Sequence, residues 1–257
     1  TAGSAANLRL LSSNYIELGI AQADLIDAAY QGTGVFTGKK CQNFKAVASL
    51  YPEACQIVVR KDSDIETIDD LQGKKVSVGE EESGSELNAR QILEMSGLPE
   101  DLIKTKHLDY TDAADKLAAG KIDAFFFTAG AQTTVVEELA KHCDIRLLNL
   151  DDKLRGKLTT AYPFYSDYTI PAGTYTGQEE DIQTVCVQSV LVASDALDNA
   201  TVKKLTKTIF AHQKGLQYAT SVDLQLNESS AIKGVPIPFH PGAAAYYSER
   251  GINVKTE

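Results

Sequence analysis

Apolar residues fall at two spacings along this chain, and the switches between them mark its elements. Period-two alternation predicts strands, and spacing by threes and fours predicts helices. Positions 5–11 carry Leu8 and Leu11 on one face, with Ser4 ahead of them as an N-cap. Positions 15–21 alternate as a strand. Gln22 follows at once, and 23–30 reads as a helix until Gly32 and Gly34 break it. Two strands are expected over 44–51 and 56–60. In the second, Ile57-Val58-Val59 is a continuous apolar run of the kind buried on both faces. After a short helix at 68–71, the stretch 76–90 turns from strand to helix. Val76 and Val78 alternate, Leu87, Ile92 and Leu93 take helical spacing, and Ser83-Gly84-Ser85 lies between.

The alternation then becomes regular. A strand at 106–108 is followed by a helix capped by Thr111, and a strand at 122–127 holds Phe125-Phe126-Phe127. Thr128-Ala129-Gly130 makes a second strand-to-helix turn into a helix ending near Ala140. A strand at 145–150 and a helix from an Asp151 cap to about Thr160 complete the block. Strand–helix alternation of this kind predicts an α/β fold with a central, mostly parallel sheet flanked by helices. Positions 162–177 break the pattern with Pro163, Pro171, Gly173 and Gly177. A long strand (184–192), a helix (200–218) and a last helix opened by Pro241 follow.

Turns at the carboxyl ends of strands are where ligands meet α/β sheets. A strand that turns through small residues into a helix aims open N–H groups and the positive end of the helix dipole at one spot, which suits a carboxylate or phosphate. Candidate turns are Ser4 with Asn7, Ala21-Gln22, the 79–85 stretch with Ser83, Gly84 and Ser85, and Thr128 with Gly130. All carry neutral hydrogen-bonding residues. Taken alone, each reads first as a plain helix cap or turn. Glu80-Glu81-Glu82 could hold a cation but reads as a solvated loop, and its charge opposes an anion at 83–85 unless it faces outward.

Composition narrows the classes. The chain has 257 residues, enough for one large domain or two ordinary ones, with 43% hydrophobic and 23% charged residues. A net charge of −10 argues against nucleic acid or an anionic membrane as the main partner. No run is long and apolar enough to span a bilayer. The opening Thr-Ala-Gly-Ser shows no signal-peptide pattern and reads as a mature form or a fragment. The four cysteines make no CxxC pair. Buried thiols and disulfides both remain open, Cys41 and Cys55 being the better-placed pair. The histidines at 107, 142, 212 and 240 are too scattered for a metal site, so neither metal nor cofactor is expected. No G-x-S-x-G, P-loop, G-x-G-x-x-G or H-E-x-x-H occurs. Asp69 and Asp70 are adjacent and do not face each other on a helix. Asp151 and Asp152 read as caps. His240, beside the Pro241 helix start, reads as structural.

Several segments, in order, resemble motifs of one family. They are Thr1-Ala-Gly-Ser-Ala-Ala-Asn7, Ala21-Gln-Ala-Asp24 with Ala29-Tyr30-Gln-Gly-Thr-Gly34, and Ala48-Ser-Leu-Tyr-Pro-Glu53. Val76-Ser-Val-Gly79 with Ser83-Gly-Ser-Glu86-Leu-Asn-Ala-Arg90 follows, then Gly120-Lys-Ile-Asp-Ala-Phe-Phe-Phe127. Pro171-Ala-Gly-Thr-Tyr175 and Pro236-Ile-Pro-Phe-His-Pro-Gly242 complete the set. Together they resemble the TAXI family of TRAP-transporter solute receptors.

The resemblance implies a type II periplasmic binding-protein fold of two lobes, 1–62 with 184–257 and 63–183, joined by two hinge crossings. The ligand would lie between the lobes, which would close over it. It implies ligand contacts from Ser4, Asn7 and Gln22 on lobe I and from Ser83, Gly84, Ser85, Thr128 and Gly130 on lobe II, with Thr174 and Tyr175 as a second tier. It also implies a small carboxylate ligand (glutamate, glutamine, a 2-oxoacid or a dicarboxylate), a periplasmic location, a monomer, and delivery to the TRAP membrane permease subunits. No catalysis is implied. Members of the family begin with a strand, a Gly-rich turn, a helix and a second strand ahead of the first motif. The sequence is expected to lack these by truncation or trimming. Two other classes remain: a two-lobed cytosolic transferase, marked by a paired acid and base, and a ligand-sensing or host-contact module, marked by an exposed apolar patch.

Overall fold

Helix and strand boundaries follow the apolar spacing closely where side chains cap them, and shift where another residue caps better. The computed structural model describes residues 1, 3–220, 222, 224 and 226–257, so Ala2 of the opening motif lies outside the described residues. Helix α1 (Ser4–Ser12) buries Ala5, Leu8 and Leu11, but its N-cap is Gly3, and Ser4 makes no cap bond. Strand β1 (Leu18–Gln22) leads into α2 (Ala23–Gln31) without a gap. Strand β2 (Phe44–Arg60) is one strand of 17 residues where two were expected. Pairing with its later neighbour begins at Ala54, so the N–H that Pro52 lacks is not missed in that ladder.

Strand β3 (Lys75–Ser77) and helix α3 (Gly84–Ser96) carry the predicted strand-to-helix turn, with Ser83 as a true N-cap accepting from the Glu86 N–H. Strand β4 (Lys104–Lys106) lies two residues earlier than expected. Helix α4 (Tyr110–Ala118) is capped by Asp109, whose carboxylate accepts from the Asp112 N–H at 2.8 Å; Thr111 sits inside the first turn instead of capping it. Strand β5 (Ala124–Ala129) includes Thr128, and four residues separate it from α5 (Thr134–His142), so Thr128 and Gly130 are not themselves a helix start. Strand β6 (Ile145–Leu147) precedes α6 (Asp152–Ala161), capped by Asp151 as expected. Strand β7 (Ser166–Ile170) went unpredicted because its mostly exposed residues show no apolar alternation. Strand β8 (Ile182–Ser194) is followed by α7 (Asn199–Ala211) and α8 (Gln213–Tyr218), a break at His212 in what the spacing drew as one helix. Helix α9 (Pro241–Ser248) starts on its proline.

The chain divides into two compact units, Thr1–Pro52 with Val187–Glu257 and Glu53–Cys186. In the first, β1 pairs antiparallel with β8, from Leu18 opposite Ala193 to Gln22 opposite Ser189. Its core includes Leu8, Leu11, Leu25, Ile26, Phe44, Tyr246 and Tyr247, all at most 1% exposed. Phe210 of α7 stacks on Tyr246 of α9 with ring centroids 5.5 Å apart.

In the second unit β4, β3 and β5 are parallel neighbours, as the alternation predicts. Strand β2 pairs antiparallel with β5 and also with β6. It therefore sits reversed between two strands that run the same way and are joined by the α5 crossover, and the sheet is mixed. Successive β2 residues face opposite sides. Ala54 and Val58 join Phe125, Phe127, Leu117 and Val136 in a core under α4 and α5. Each fully buried Phe or Leu there contributes roughly 1.5–3 kcal/mol. Helix α3 packs on β5 and against α6. No disulfide forms: Cys41, Cys55, Cys143 and Cys186 are all thiols, and the Cys41–Cys55 pair is not bonded. Among the described residues no helix is long and apolar enough to cross a membrane.

Candidate functional site

In the first unit the structure brings Ser4, Asn7 and Gln22 together. β1 is the outermost strand of its ladder, so every second N–H and C=O points away from β8. Helix α1 meets them with side chains one turn apart. Ser4 Oγ accepts from the Gln22 N–H at 3.0 Å, and Asn7 Nδ2 donates to the Ile20 carbonyl at 2.8 Å. The two residues thus act where a neighbouring strand would, covering an edge. Asn7 Oδ1 accepts from the Thr1 hydroxyl at 2.8 Å. Gln22 is 3% exposed and stands at the start of α2 without making a side-chain cap there.

In the second unit, the turn after β3 folds tightly onto the start of α3. Gly79 has φ +105°, and a Cβ there would lie 2.9 Å from Ser85 Cβ, 3.0 Å from Ser83 Oγ and 3.1 Å from the Glu86 nitrogen. Only glycine allows this approach. Ser83 Oγ takes the Glu86 N–H at 3.1 Å, and Glu86 Oε2 reaches back to the Glu82 N–H at 2.5 Å, an arrangement close to a capping box. Glu80, Glu81 and Glu82 are all exposed, so the three-charge run faces outward. The acid at the helix start is Glu86, which Arg90 Nη2 holds at 3.1 Å.

Ser85 and Thr128 are joined through Tyr110, which the sequence did not single out. The Thr128 N–H donates to Ser85 Oγ at 2.9 Å, Ser85 Oγ and the Tyr110 hydroxyl are 2.8 Å apart, and Tyr110 donates to the Thr128 carbonyl at 3.2 Å. With Ser85 donating to Tyr110, the three bonds close a ring and each hydroxyl proton has one destination. Burial pushes the Tyr110 phenol up to about 12, against the opposing effect of the Ser85 bond, so it is a neutral donor near pH 7. Thr128 Oγ1 lies 3.6 Å from Cys55 Sγ. Ser85, 1% exposed, and Thr128, 4% exposed, therefore hold α3, α4 and β5 in register. The first-turn N–H groups that Ser83 does not cap are those of Gly84 and Ser85.

Tyr175 is placed elsewhere. Its side chain, 2% exposed, reaches the start of α5, where its oxygen accepts from the N–H groups of Gln132 at 3.1 Å and Thr133 at 3.3 Å. It donates in turn to Gln56 Oε1 at 2.8 Å. Thr174 stays within its own turn, bonded through Oγ1 to the Pro171 carbonyl at 2.7 Å. A further buried relay links Asn88 Nδ2 to the Tyr165 hydroxyl at 2.8 Å and that hydroxyl to Gln91 Oε1 at 2.6 Å. Sequence reasoning missed Gln56, Tyr110 and Tyr165. Gln56 had a visible signal, a single amide inside the apolar run around 54–59. Among the described residues no group of acids, histidines or cysteines is arranged to hold a metal ion. His240 caps α9, its Nδ1 accepting from the Gly242 N–H at 3.1 Å, which is the structural role its position suggested.

A model of the NMT1-like family matches residues 1–251. The chain belongs to the NMT1-like family. Solved structures share the fold of this NMT1-like chain at low identity. The periplasmic aliphatic sulphonate binding protein SsuA from Escherichia coli is 18% identical, over all of this chain and 82% of that one, with a TM-score of 0.52. The alkanesulfonate-binding protein SsuA from Xanthomonas axonopodis pv. citri, bound to MOPS, is 17% identical over 98% of this chain and 79% of that one, with a TM-score of 0.50. A putative periplasmic sulfonate-binding protein SsuA from Methylobacillus flagellatus KT is 16% identical over 97% and 73%, with a TM-score of 0.50. The NMT1-like chain thus has the α/β two-lobe fold of periplasmic binding proteins, a mixed sheet with parallel strands flanked by helices.

Proposed function

We propose that this protein is an extracytoplasmic solute receptor that binds a small organic anion and makes and breaks no bonds. The observation that supports this most is coverage: the family match spans residues 1–251, and the fold is shared with binding proteins along the whole chain. The motif resemblance narrows the proposal to a receptor of a TRAP transporter. Its ligand would be a small carboxylate such as glutamate, glutamine, a 2-oxoacid or a dicarboxylate, captured by closure of the lobes and handed to the membrane permease. The lobes would be 1–62 with 184–257 and 63–183, and the receptor a monomer.

The ligand-facing set we propose is Ser4, Asn7 and Gln22 in one unit, and Ser83, Gly84, Ser85, Thr128, Gly130, Thr174 and Tyr175 in the other. The geometry favours backbone donors within that set, because the hydroxyls of Ser85 and Tyr175 are committed to partners of their own. The N–H groups of Gly84 and Ser85, at the positive end of α3, are the donors that a carboxylate or sulfonate oxygen would meet. Melting-temperature shifts against glutamate, glutamine, 2-oxoglutarate, C4 dicarboxylates and alkanesulfonates test the reading. A shift with a carboxylate supports the narrower form, a shift with sulfonates alone replaces it by a sulfonate receptor, and no shift with any anion rejects it. One observation favours a second reading, a host-contact module: Tyr15, Leu18 and Ile20, on and just before β1, are 80%, 39% and 43% exposed.

A further inference from the structure

Around the Tyr175 hydroxyl the polar groups do not balance. Its single oxygen takes two backbone N–H groups at the start of α5, a helix of nine residues, and gives its proton to Gln56. Two other polar atoms of the same residues are buried and have no partner among the described residues: Gln56 Nε2 and Thr133 Oγ1. Gln56 is 2% exposed, and its amide nitrogen belongs to the same carboxamide whose oxygen holds Tyr175. A buried amide donor with no acceptor is costly, and native structures seldom keep one without a use. Its face is otherwise apolar, since Ala54 and Val58 on the same side of β2 pack into the core under α4 and α5.

The donors outnumber the acceptor. Two N–H groups already fill one phenol oxygen, which can accept only about two hydrogen bonds, and the Thr133 hydroxyl and the Gln56 amide nitrogen of the same residues are left unbonded. A carboxylate or sulfonate group has several lone pairs on two or three oxygens and satisfies the two N–H groups, and also the Gln56 amide once that carboxamide turns over to present Nε2 where Oε1 now takes the Tyr175 proton. The aligned N–H groups and the positive end of α5 favour its charge. Beside the Tyr175 ring lies a cavity of about 290 Å³, also lined by Gly177, Gln178 and Ile182, which gives the ring somewhere to go. Tyr175 is carried on the turn between β7 and β8, which Thr176 ties to Glu137 of α5 at 3.1 and 2.8 Å, so the side chain leaves by turning about its own bonds while the turn stays in place.

We propose that the start of α5 is an oxyanion subsite for a small carboxylate or sulfonate, and that the Tyr175 hydroxyl is a plug filling it. Ligand binding displaces the phenol, and the ligand oxygens take the donors of Gln132, Thr133 and Gln56. This rests on the reading of the protein as an anion receptor and adds a gate to it. The gate sets affinity, because each ligand must first compete with an internal acceptor.

Calorimetric titration with 2-oxoglutarate, glutamate and an alkanesulfonate tests this on the native chain, Tyr175→Phe and Thr133→Val. Phenylalanine keeps the ring and removes the competing oxygen. The expected result is binding about three- to tenfold tighter in Tyr175→Phe, the equivalent of one hydrogen bond of competition. Thr133→Val should weaken binding by a similar factor. Affinity unchanged or lowered in Tyr175→Phe overturns the plug, since a tyrosine that donates to the ligand would be missed. If Tyr175→Phe does not fold, Thr133→Val carries the test alone, and native affinity there overturns the subsite. Heat in none of the proteins rejects the receptor reading itself, an outcome distinct from binding that ignores both substitutions.

Discussion

Replacing Gly79 with alanine probes the turn on which the α3 site depends. Two costs add. The backbone at Gly79 has φ +105°, and a left-handed conformation costs an L-residue about 1 kcal/mol or somewhat more. The added Cβ would also stand 2.9 Å from Ser85 Cβ and 3.1 Å from the Glu86 nitrogen. The latter is backbone and cannot rotate away, so the first turn of α3 must shift. Overpacking of this kind costs about 2 kcal/mol. Gly73 supplies the control, because its φ is +74° and nothing lies within 4 Å of a Cβ built there. Gly73→Ala should therefore cost only the strain, about 1 kcal/mol, against about 3 kcal/mol for Gly79→Ala. In a chain of this length that is a fall in melting temperature of about 2–4 °C for the control and about 6–12 °C for Gly79→Ala. Circular dichroism melts of the two variants and the parent measure it. Equal losses in the two variants would refute the close approach of the turn to α3.

Two further outcomes follow from named contacts. Burial lowers the pKa of His240 below its ordinary 6.5, so the folded chain holds it neutral, with Nδ1 accepting the Gly242 N–H. The stability this gives is complete above the unfolded value and is lost as pH falls below about 6.5 toward the folded value. Melting temperature should thus drop more steeply on acidification in the parent than in His240→Asn, and parallel curves would contradict it. All four cysteines are thiols, with Cys41, Cys55 and Cys186 at most 3% exposed and Cys143 partly exposed. A thiol reagent should count four groups in the unfolded chain without reductant and only Cys143 rapidly in the folded one; a count of two after unfolding would reveal a disulfide.

Much of the architecture was legible because apolar spacing and side-chain caps are local signals. Ser83, Asp151 and Pro241 open their helices, and the block from β3 to α6 alternates as the spacing required. What escaped was set by partners distant in sequence. Strand β2 runs through Pro52 because its pairing with β5 starts only at Ala54. Strand β7 shows no apolar rhythm because its residues are mostly exposed. The candidate site was legible as a set of turns but not as chemistry. Nothing near Ser85 in sequence announces that Tyr110 and Thr128 will engage its hydroxyl. Nothing near Ser4 announces that it will cover the edge of β1. Side chains chosen as ligand donors thus turn out to have bonds of their own, while the open backbone N–H groups of Gly84 and Ser85 lie in the strand-to-helix turn that the spacing had marked.

The central claim is reversible capture of a small organic anion without chemistry. Calorimetric titration of the full chain with the anion that raises its melting temperature most, followed by recovery and mass analysis of that anion, tests it most directly. The account predicts saturable heat with one anion per chain and recovery of the compound unchanged. Absence of saturable heat, or recovery of a chemically altered compound, would contradict it.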